Sequence, residues 1–212
     1  MPIKKAKCKI CRRQGKKLML KGDRCLSSKC AIIKRNYAPG IHGAKKTRTK
    51  ITEYGLQLRE KQKAKEIYGI LERQFRKYYE KAIKLKGNVN ENLINFLEMR
   101  LDNVIYRAGI AKSRNQAKQL VGHGNFIVNK YKTDIPSCQL KINDVIKIKE
   151  TKKDNIFFKN IIAELKNKKN QEIQSWFIFD KEKMEIKILS KPSIEEIEKS
   201  FDSKMIIEFY SR

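Results

Sequence analysis

Residues 1–50 show no sustained rhythm of apolar and polar positions. Their apolar residues are scattered among cations, and a stretch this small and polar cannot bury enough surface to fold alone. It is either disordered or stapled. From Thr52 the pattern turns helical: Thr52 can cap, and Glu53 falls in the first turn, where the helix dipole favours a carboxylate. Leu58, Ile67 and Tyr68 anchor that mostly charged segment. Phe75, Tyr78, Tyr79, Ala82 and Ile83 recur at i, i+3, i+4, i+7 and i+8 and predict a second helix, closed by Gly87-Asn88. A third is expected as one continuous helix from about Asn90 to Ala108, striped by Leu93, Ile94, Leu97, Leu101, Val104, Ile105 and Ala108. Gly109 stops it. Ser113 opens a short helix with Gln116 as its capping-box partner, Ala117, Leu120 and Val121 inside, and Gly122 and Gly124 at its end. Phe126–Val128 and Val145–Ile148 read as strands, with turns at Asn129-Lys130 and Ile135-Pro136. Phe158, Ile161, Ile162 and Leu165 suggest one more helix, followed by a polar connector from Asn167 to Gln171. Trp176–Phe179 and Ile186–Leu189 read as a hairpin, and Met205–Tyr210 is apolar enough to dock rather than fray.

Charge changes the picture most. Among 212 residues, 50 Lys and Arg face 23 Asp and Glu, a formal net charge of +27. Residues 1–50 contribute +16, residues 51–170 +13, and residues 171–212 −2. Such a charge repels itself in a compact chain and calls for a polyanion. Nucleic acid is the expected partner. An anionic membrane surface is the weaker option, since no basic amphipathic helix with a rich apolar face stands out. No run of about 18 apolar residues predicts a membrane span. The first 30 residues lack an apolar signal core, so no secretory signal is expected. Two His and no glycine-rich nucleotide fingerprint argue against an enzyme.

Four of the five Cys cluster as Cys8, Cys11, Cys25 and Cys30, two short-spaced pairs separated by a loop. Folded back, such pairs can bring four thiolates to one tetrahedron, which is the demand of a structural zinc ion. Lys9, Arg12, Arg13 and Lys29 would ease thiolate formation and offset the charge of a zinc tetrathiolate. With four sulfurs bound no open position is left for a substrate water. The other readings are two disulfides, four free thiols or an iron–sulfur cluster. Cys138 stands apart as a free thiol.

The basic groups form several candidate contacts to RNA. Arg12, Arg13, Lys16 and Lys17 lie in the cysteine segment. Lys45, Lys46, Arg48 and Lys50 follow Pro39-Gly40-Ile41-His42-Gly43, a glycine turn that lets a cationic run approach a phosphate backbone. His42 reads as an RNA contact or a turn residue rather than a metal ligand. Arg59, Lys61 and Lys63 share one helix, and Arg73 and Arg76, with Lys77, the next. Arg114 and Lys118, at i and i+4 opposite the apolar residues of their helix, are expected to point outward together.

Residues 100–130, RLDNVIYRAGIAKSRNQAKQLVGHGNFIVNK, resemble the S-four RNA-binding module, two helices followed by a small hairpin sheet. The resemblance implies that the short helix and its turn dock on structured RNA, with Arg107, Arg114, Lys118, His123 and Asn129 as contact candidates. Two departures show: Lys130 stands where the family usually has Gly, and Cys138 where it usually has an aromatic. CKICRRQGKKL, LKGDRC, PGIHG, LREKQKAKEIYGI with ERQFR, and the terminal IIEFYSR extend the likeness over nearly the whole chain. It resembles the bacterial-type small-subunit ribosomal proteins of the S-four family, in the form that carries zinc.

The resulting expectation is an α+β, mainly helical protein. Residues 1–50 form a zinc knuckle, 51–99 the helical remainder of the N-terminal domain, and 100–165 a helix–helix–small antiparallel sheet module. Residues 166–212 form a hairpin and a tail that docks back. By resemblance the protein binds small-subunit ribosomal RNA, nucleates assembly of the subunit body, and touches the fifth small-subunit protein. It would lie near the channel by which messenger RNA enters and so influence accuracy. Its place is a cytoplasmic ribosome, or an organelle ribosome after removal of a transit peptide. The rival readings are a repressor of its own messenger, an RNA-modifying enzyme that borrows the module, and a DNA-binding zinc protein. The residues around the module are too basic and too short for a catalytic domain. The chain also lacks the recognition helix of such DNA regulators.

Overall fold

The computed structural model describes residues 6–44, 51–153, 155–167, 174–181, 183–193 and 200–212. In chain order the helices are α1 (Lys7–Gln14), α2 (Asp23–Leu26), α3 (Ala31–Lys34), α4 (Glu53–Tyr68), α5 (Glu72–Lys84), α6 (Val89–Glu98), α7 (Leu101–Arg107) and α8 (Arg114–Gly122). Then come β1 (Phe126–Val128), β2 (Tyr131–Thr133), β3 (Val145–Ile148), α9 (Glu150–Lys153), α10 (Ile156–Asn167), β4 (Phe177–Asp180), β5 (Glu185–Ile188) and α11 (Ser203–Ser211). The chain divides into two compact units, residues 1–81 with 199–212, and residues 82–198. The expected connector from Asn167 to Gln171 lies, beyond Asn167, outside the described residues.

In the first unit α4 begins as its sequence predicts: the Thr52 hydroxyl accepts a hydrogen bond from the Gly55 amide at 3.2 Å. Gly69 ends the helix at φ 60°, a left-handed position that glycine occupies without a Cβ clash. On α5, Phe75, Tyr78, Tyr79 and Ala82 are buried, but Ile83 is 52% exposed. At 100° per residue Ile83 stands roughly 80° around the axis from Phe75, off the inner arc. The tail docks as expected, with α11 lying along α4. The Tyr79 and Tyr210 rings stack at 4.7 Å, the Tyr210 hydroxyl donates to Glu72 at 2.7 Å, and Gln57 donates to Glu208 at 3.1 Å.

Glu72 also accepts from Lys61 at 2.8 Å and Lys65 at 3.1 Å. Burial alone would raise the Glu72 carboxyl, but hydrogen bonds from Lys61, Tyr210 and Lys65 outweigh it and hold the group at about 2. Burial, and then the Glu72 carboxylate, push the Tyr210 hydroxyl well above its ordinary value. The folded carboxyl is the stronger acid, so its contribution to stability is full above about pH 5 and is lost as pH falls. We expect Glu72→Gln to flatten the decline of the urea midpoint between about pH 5 and pH 2 relative to the parent chain. Parallel declines in the two proteins would refute this role.

The second unit departs from the predicted continuous helix. The apolar stripe is buried throughout, but the helix breaks between α6 and α7. Arg100 adopts extended backbone and bridges to Gln139. The Leu101 amide donates to the Cys138 carbonyl at 3.0 Å and the Asp102 amide to the Pro136 carbonyl at 3.1 Å, while Leu140 donates to Met99 at 2.9 Å. The segment 136–140 thus supplies the hydrogen bonds that a continuing helix would have made internally. Cys138 is half-buried and free, and burial raises its thiol.

Ser113 accepts from the Gln116 amide at 3.3 Å, but the Gln116 side chain accepts from the Lys112 amide, not from that of Ser113. The capping box is shifted by one residue. The two strands predicted around the module hairpin match β1 and β3. The partner β2 was not predicted: its three residues, Tyr131-Lys132-Thr133, show no buried alternation. The turn to β2 has a positive φ only at its first residue, Asn129, at 57°, so Lys130 is accommodated where the family usually has Gly. The C-terminal hairpin joins the same sheet, giving the antiparallel order β2-β1-β3-β5-β4. Phe126, Ile146, Ile148, Ile186 and Ile188 point into a core shared with Leu101, Ile105, Val121, Phe158 and Trp176. Nothing is described of the Ile162 side chain.

Candidate nucleic-acid interface and cysteine pocket

Helix α1 carries Cys8 and Cys11 three residues apart, α2 carries Cys25, and Cys30 precedes α3. All four line one pocket, whose rim includes Lys7, Lys17, Lys21 and Arg24. The Lys21 amide donates to the Cys25 sulfur at 3.3 Å. Burial raises the Cys11 thiol, the Leu18 backbone lowers it by hydrogen bonding, and Cys25, Cys8 and Cys30 raise it again by charge. All five cysteines are free thiols. Among the described residues no three of His, Cys, Asp or Glu form a group that could hold a metal ion. The four cysteines nonetheless line one cavity. The donor set still fits zinc: four soft ligands, amide donors to sulfur and a cationic rim are what a tetrathiolate centre requires. His42 sits exposed in the turn Ile41–Ala44, consistent with a turn role.

The candidate RNA contacts divide by burial. Arg13, Lys16 and Lys17 are exposed. Arg12 is partly exposed and tied to a surface loop: it donates to the Tyr37 carbonyl at 3.0 Å and lies 4.7 Å over the exposed Tyr37 ring. Lys45, Lys46, Arg48 and Lys50 lie outside the described residues. Arg59 is exposed. Lys61 and Lys63, proposed from sequence as contacts, are buried at 6% and 4% exposure. Lys61 pairs with Glu72 and faces the Phe209 ring at 4.2 Å, and Lys63 pairs with Glu60. A cation buried beside its carboxylate is withdrawn from a phosphate, so these two leave the interface. Arg73 and Arg76 are exposed, with Arg76 3.1 Å from Glu80. Lys77, named with them from the sequence, and Lys81, which was not, share their outer arc of α5, opposite Phe75 and Ala82. The helical period held that signal.

In the module the prediction of an outward Arg114–Lys118 pair is corrected. Arg114 donates to Asn103 at 2.8 Å and lies 4.5 Å over the Tyr106 ring. Lys118 is half-buried with its ammonium 3.9 Å from Asp102. Burial lowers the Lys118 ammonium, the Asp102 charge raises it, and Arg100 lowers it again. Arg107 grips the fully buried Glu98 with two hydrogen bonds, at 3.1 and 2.9 Å. Asn103 donates to the same carboxylate at 2.6 Å, and Arg100 forms two hydrogen bonds with Asp102 at 3.0 and 2.7 Å. These cations fasten α6, α7 and α8 together. Sequence periodicity places them on the helix surface and cannot show what packs against that surface. The clue was Glu98 and Asp102 standing within an apolar stripe, since buried carboxylates need cations. Asn129 fixes the hairpin turn while staying exposed: it donates to Asp144 at 3.0 Å and accepts from the Val145 amide at 2.9 Å. Among the module candidates His123 and Asn129 are exposed.

Two family models match the chain, Ribosomal protein S4/S9 N-terminal domain over residues 3–98 and S4 domain over residues 99–146. Small ribosomal subunit protein uS4 of Clostridium beijerinckii is 49% identical over 207 residues, covering 98% of this chain and 97% of its own. Its counterpart in Clostridioides difficile is 50% identical over 208 residues with the same coverage. That of Acetivibrio thermocellus is 48% identical over 213 residues, again covering 98% and 97%.

Proposed function

Because the chain belongs to the family of small ribosomal subunit protein uS4, we propose that it is a structural component of the small ribosomal subunit and binds small-subunit ribosomal RNA. The observation that carries this is kinship over 98% of the chain, helical unit and module alike. The surface supports it: Arg13, Lys16, Lys17, Arg59, Arg73, Arg76 and His123 stay exposed on a chain of charge +27. The protein acts as a rigid counter-charge that lets packed RNA helices approach, and it performs no catalysis. Binding early, it nucleates the subunit body. It touches the fifth small-subunit protein near the channel by which messenger enters, and works in a cytoplasmic ribosome. The same surface would serve a folded segment of its own messenger.

Cys8, Cys11, Cys25 and Cys30 would hold one zinc ion. Bound there, zinc supplies cross-links that a polar segment cannot obtain from a core. The Lys21 and Leu18 amides orient sulfur, and the basic rim offsets thiolate charge.

The test is the affinity for transcribed small-subunit ribosomal RNA as a function of salt. Log affinity should fall steeply with log salt, by roughly 0.7 to 0.9 per phosphate neutralised. Arg73→Ala and Arg76→Ala should each make the slope shallower by about 1. Lys61→Gln should lower stability and leave the slope unchanged. A shallow parental slope would overturn the reading.

A further inference from the structure

The hairpin β1–β2 holds a group that neither the module nor the sequence motifs assign. Tyr131, on edge strand β2, is the most exposed aromatic among the described residues, at 78%. In register it pairs with Val128, which is buried at 9% exposure, so it stands on the side of the sheet that elsewhere covers the core. Here nothing covers it. Lys130 and Lys132 are its exposed neighbours along the chain, and Lys132, which pairs with Ile127, leaves the strand on the opposite side of the ribbon. Lys132 has a defined path. A Cβ placed at Gly124 would stand 2.6 Å from Lys132 Cε and 3.3 Å from its Nζ. The lysine stem therefore crosses the bare α-carbon of Gly124, which sits at φ 63° in the turn between α8 and β1. This brings its ammonium over the same turn as His123.

A lone exposed tyrosine is ordinary, and lysines on an edge strand discourage strand-to-strand association. A protective lysine needs neither a glycine beneath its stem nor a bare ring beside it. The conjunction fits a different task. An aromatic face stacks on any unpaired base, and cations on either side meet the phosphates of that nucleotide. We infer that Tyr131, with Lys130 and Lys132, forms a stacking platform for one unpaired nucleobase of the bound RNA, and that Gly124 holds the Lys132 arm in place. This rests on the ribosomal RNA reading above and adds a base contact to an interface otherwise built on phosphates.

The experiment uses the full chain and transcribed small-subunit ribosomal RNA, with affinity followed across salt. Tyr131→Ala should weaken binding roughly five- to a hundred-fold with the salt slope unchanged, the signature of lost stacking. Tyr131→Phe should restore it, since phenylalanine keeps the ring. Lys132→Gln should make the slope shallower by about 1. Chemical probing should show one base that is shielded by the parent and the Phe variant and reactive with the Ala variant. Unchanged affinity in Tyr131→Ala, or a loss that Phe does not restore, overturns the inference. Loss of a neighbouring ribosomal protein with RNA affinity intact overturns it too, and assigns the ring to a protein contact. A parent chain that fails to bind this RNA sinks the broader reading instead, so the two failures are distinguishable.

Discussion

Glu98→Ala is expected to destabilise the second unit by about 3–5 kcal/mol, the range for breaking a buried ion pair by removing one partner. The carboxylate is fully buried and accepts two hydrogen bonds from Arg107 and one from the Asn103 side chain. Its removal takes from the Arg107 guanidinium, 11% exposed, the carboxylate that holds it by two hydrogen bonds. It also removes one hydrogen bond of Asn103, whose Nδ2 keeps its bond to the Glu98 backbone carbonyl at 2.9 Å and whose side-chain oxygen fixes Arg114. The loss is one of desolvation more than of attraction. Replacing both partners with apolar residues of similar size, Glu98→Leu with Arg107→Met, should therefore recover most of it. Urea unfolding followed at Trp176, which is fully buried in the same core, reads both variants. A cost below about 1 kcal/mol for Glu98→Ala would show that the pair is solvated in solution and contributes little.

Removing metal should have an effect at least as large, confined to the other unit. Purified protein should hold one zinc per chain. Stripping it with a chelator should expose residues 6–44 to proteolysis while Trp176 keeps its buried emission. Structural zinc in small domains contributes about 10–16 kcal/mol of apparent binding free energy, far beyond what the few buried apolar groups of this segment can replace. Cys25→Ser, which removes one of the four sulfurs, should mimic the chelator. Equal protease resistance with and without metal would rule out the zinc assignment and leave the four thiols as ordinary packing groups.

Two signals made much of this legible before any coordinates. Caps and apolar spacing marked α4, α5 and α8, and short apolar runs bounded by turns marked β1, β3 and the β4–β5 hairpin. Both signals are local, because a residue's neighbours along the chain determine which way it faces. The break at Met99–Arg100 was not legible, since the stripe runs through it in phase. It is made by carbonyls of residues 136 and 138, thirty and more positions away. The buried lysines were missed for the same reason. Lys61 and Lys63 look solvated until α11, from the far end of the chain, lies along α4 and Glu72 turns toward Lys61.

By itself the sequence determined the element types, the cationic character, the four-cysteine spacing and the family. Each depends on composition or on intervals along the chain, and none needs to know what lies across a gap. Only the tertiary structure decided which cations are available. A positive charge faces solvent or a phosphate unless a carboxylate desolvated beside it holds it more strongly, and that depends on distances between segments remote in sequence. Arg107, Lys118, Lys61 and Lys63 were drawn inward in this way, while Arg73, Arg76 and the bare ring of Tyr131 were left outside.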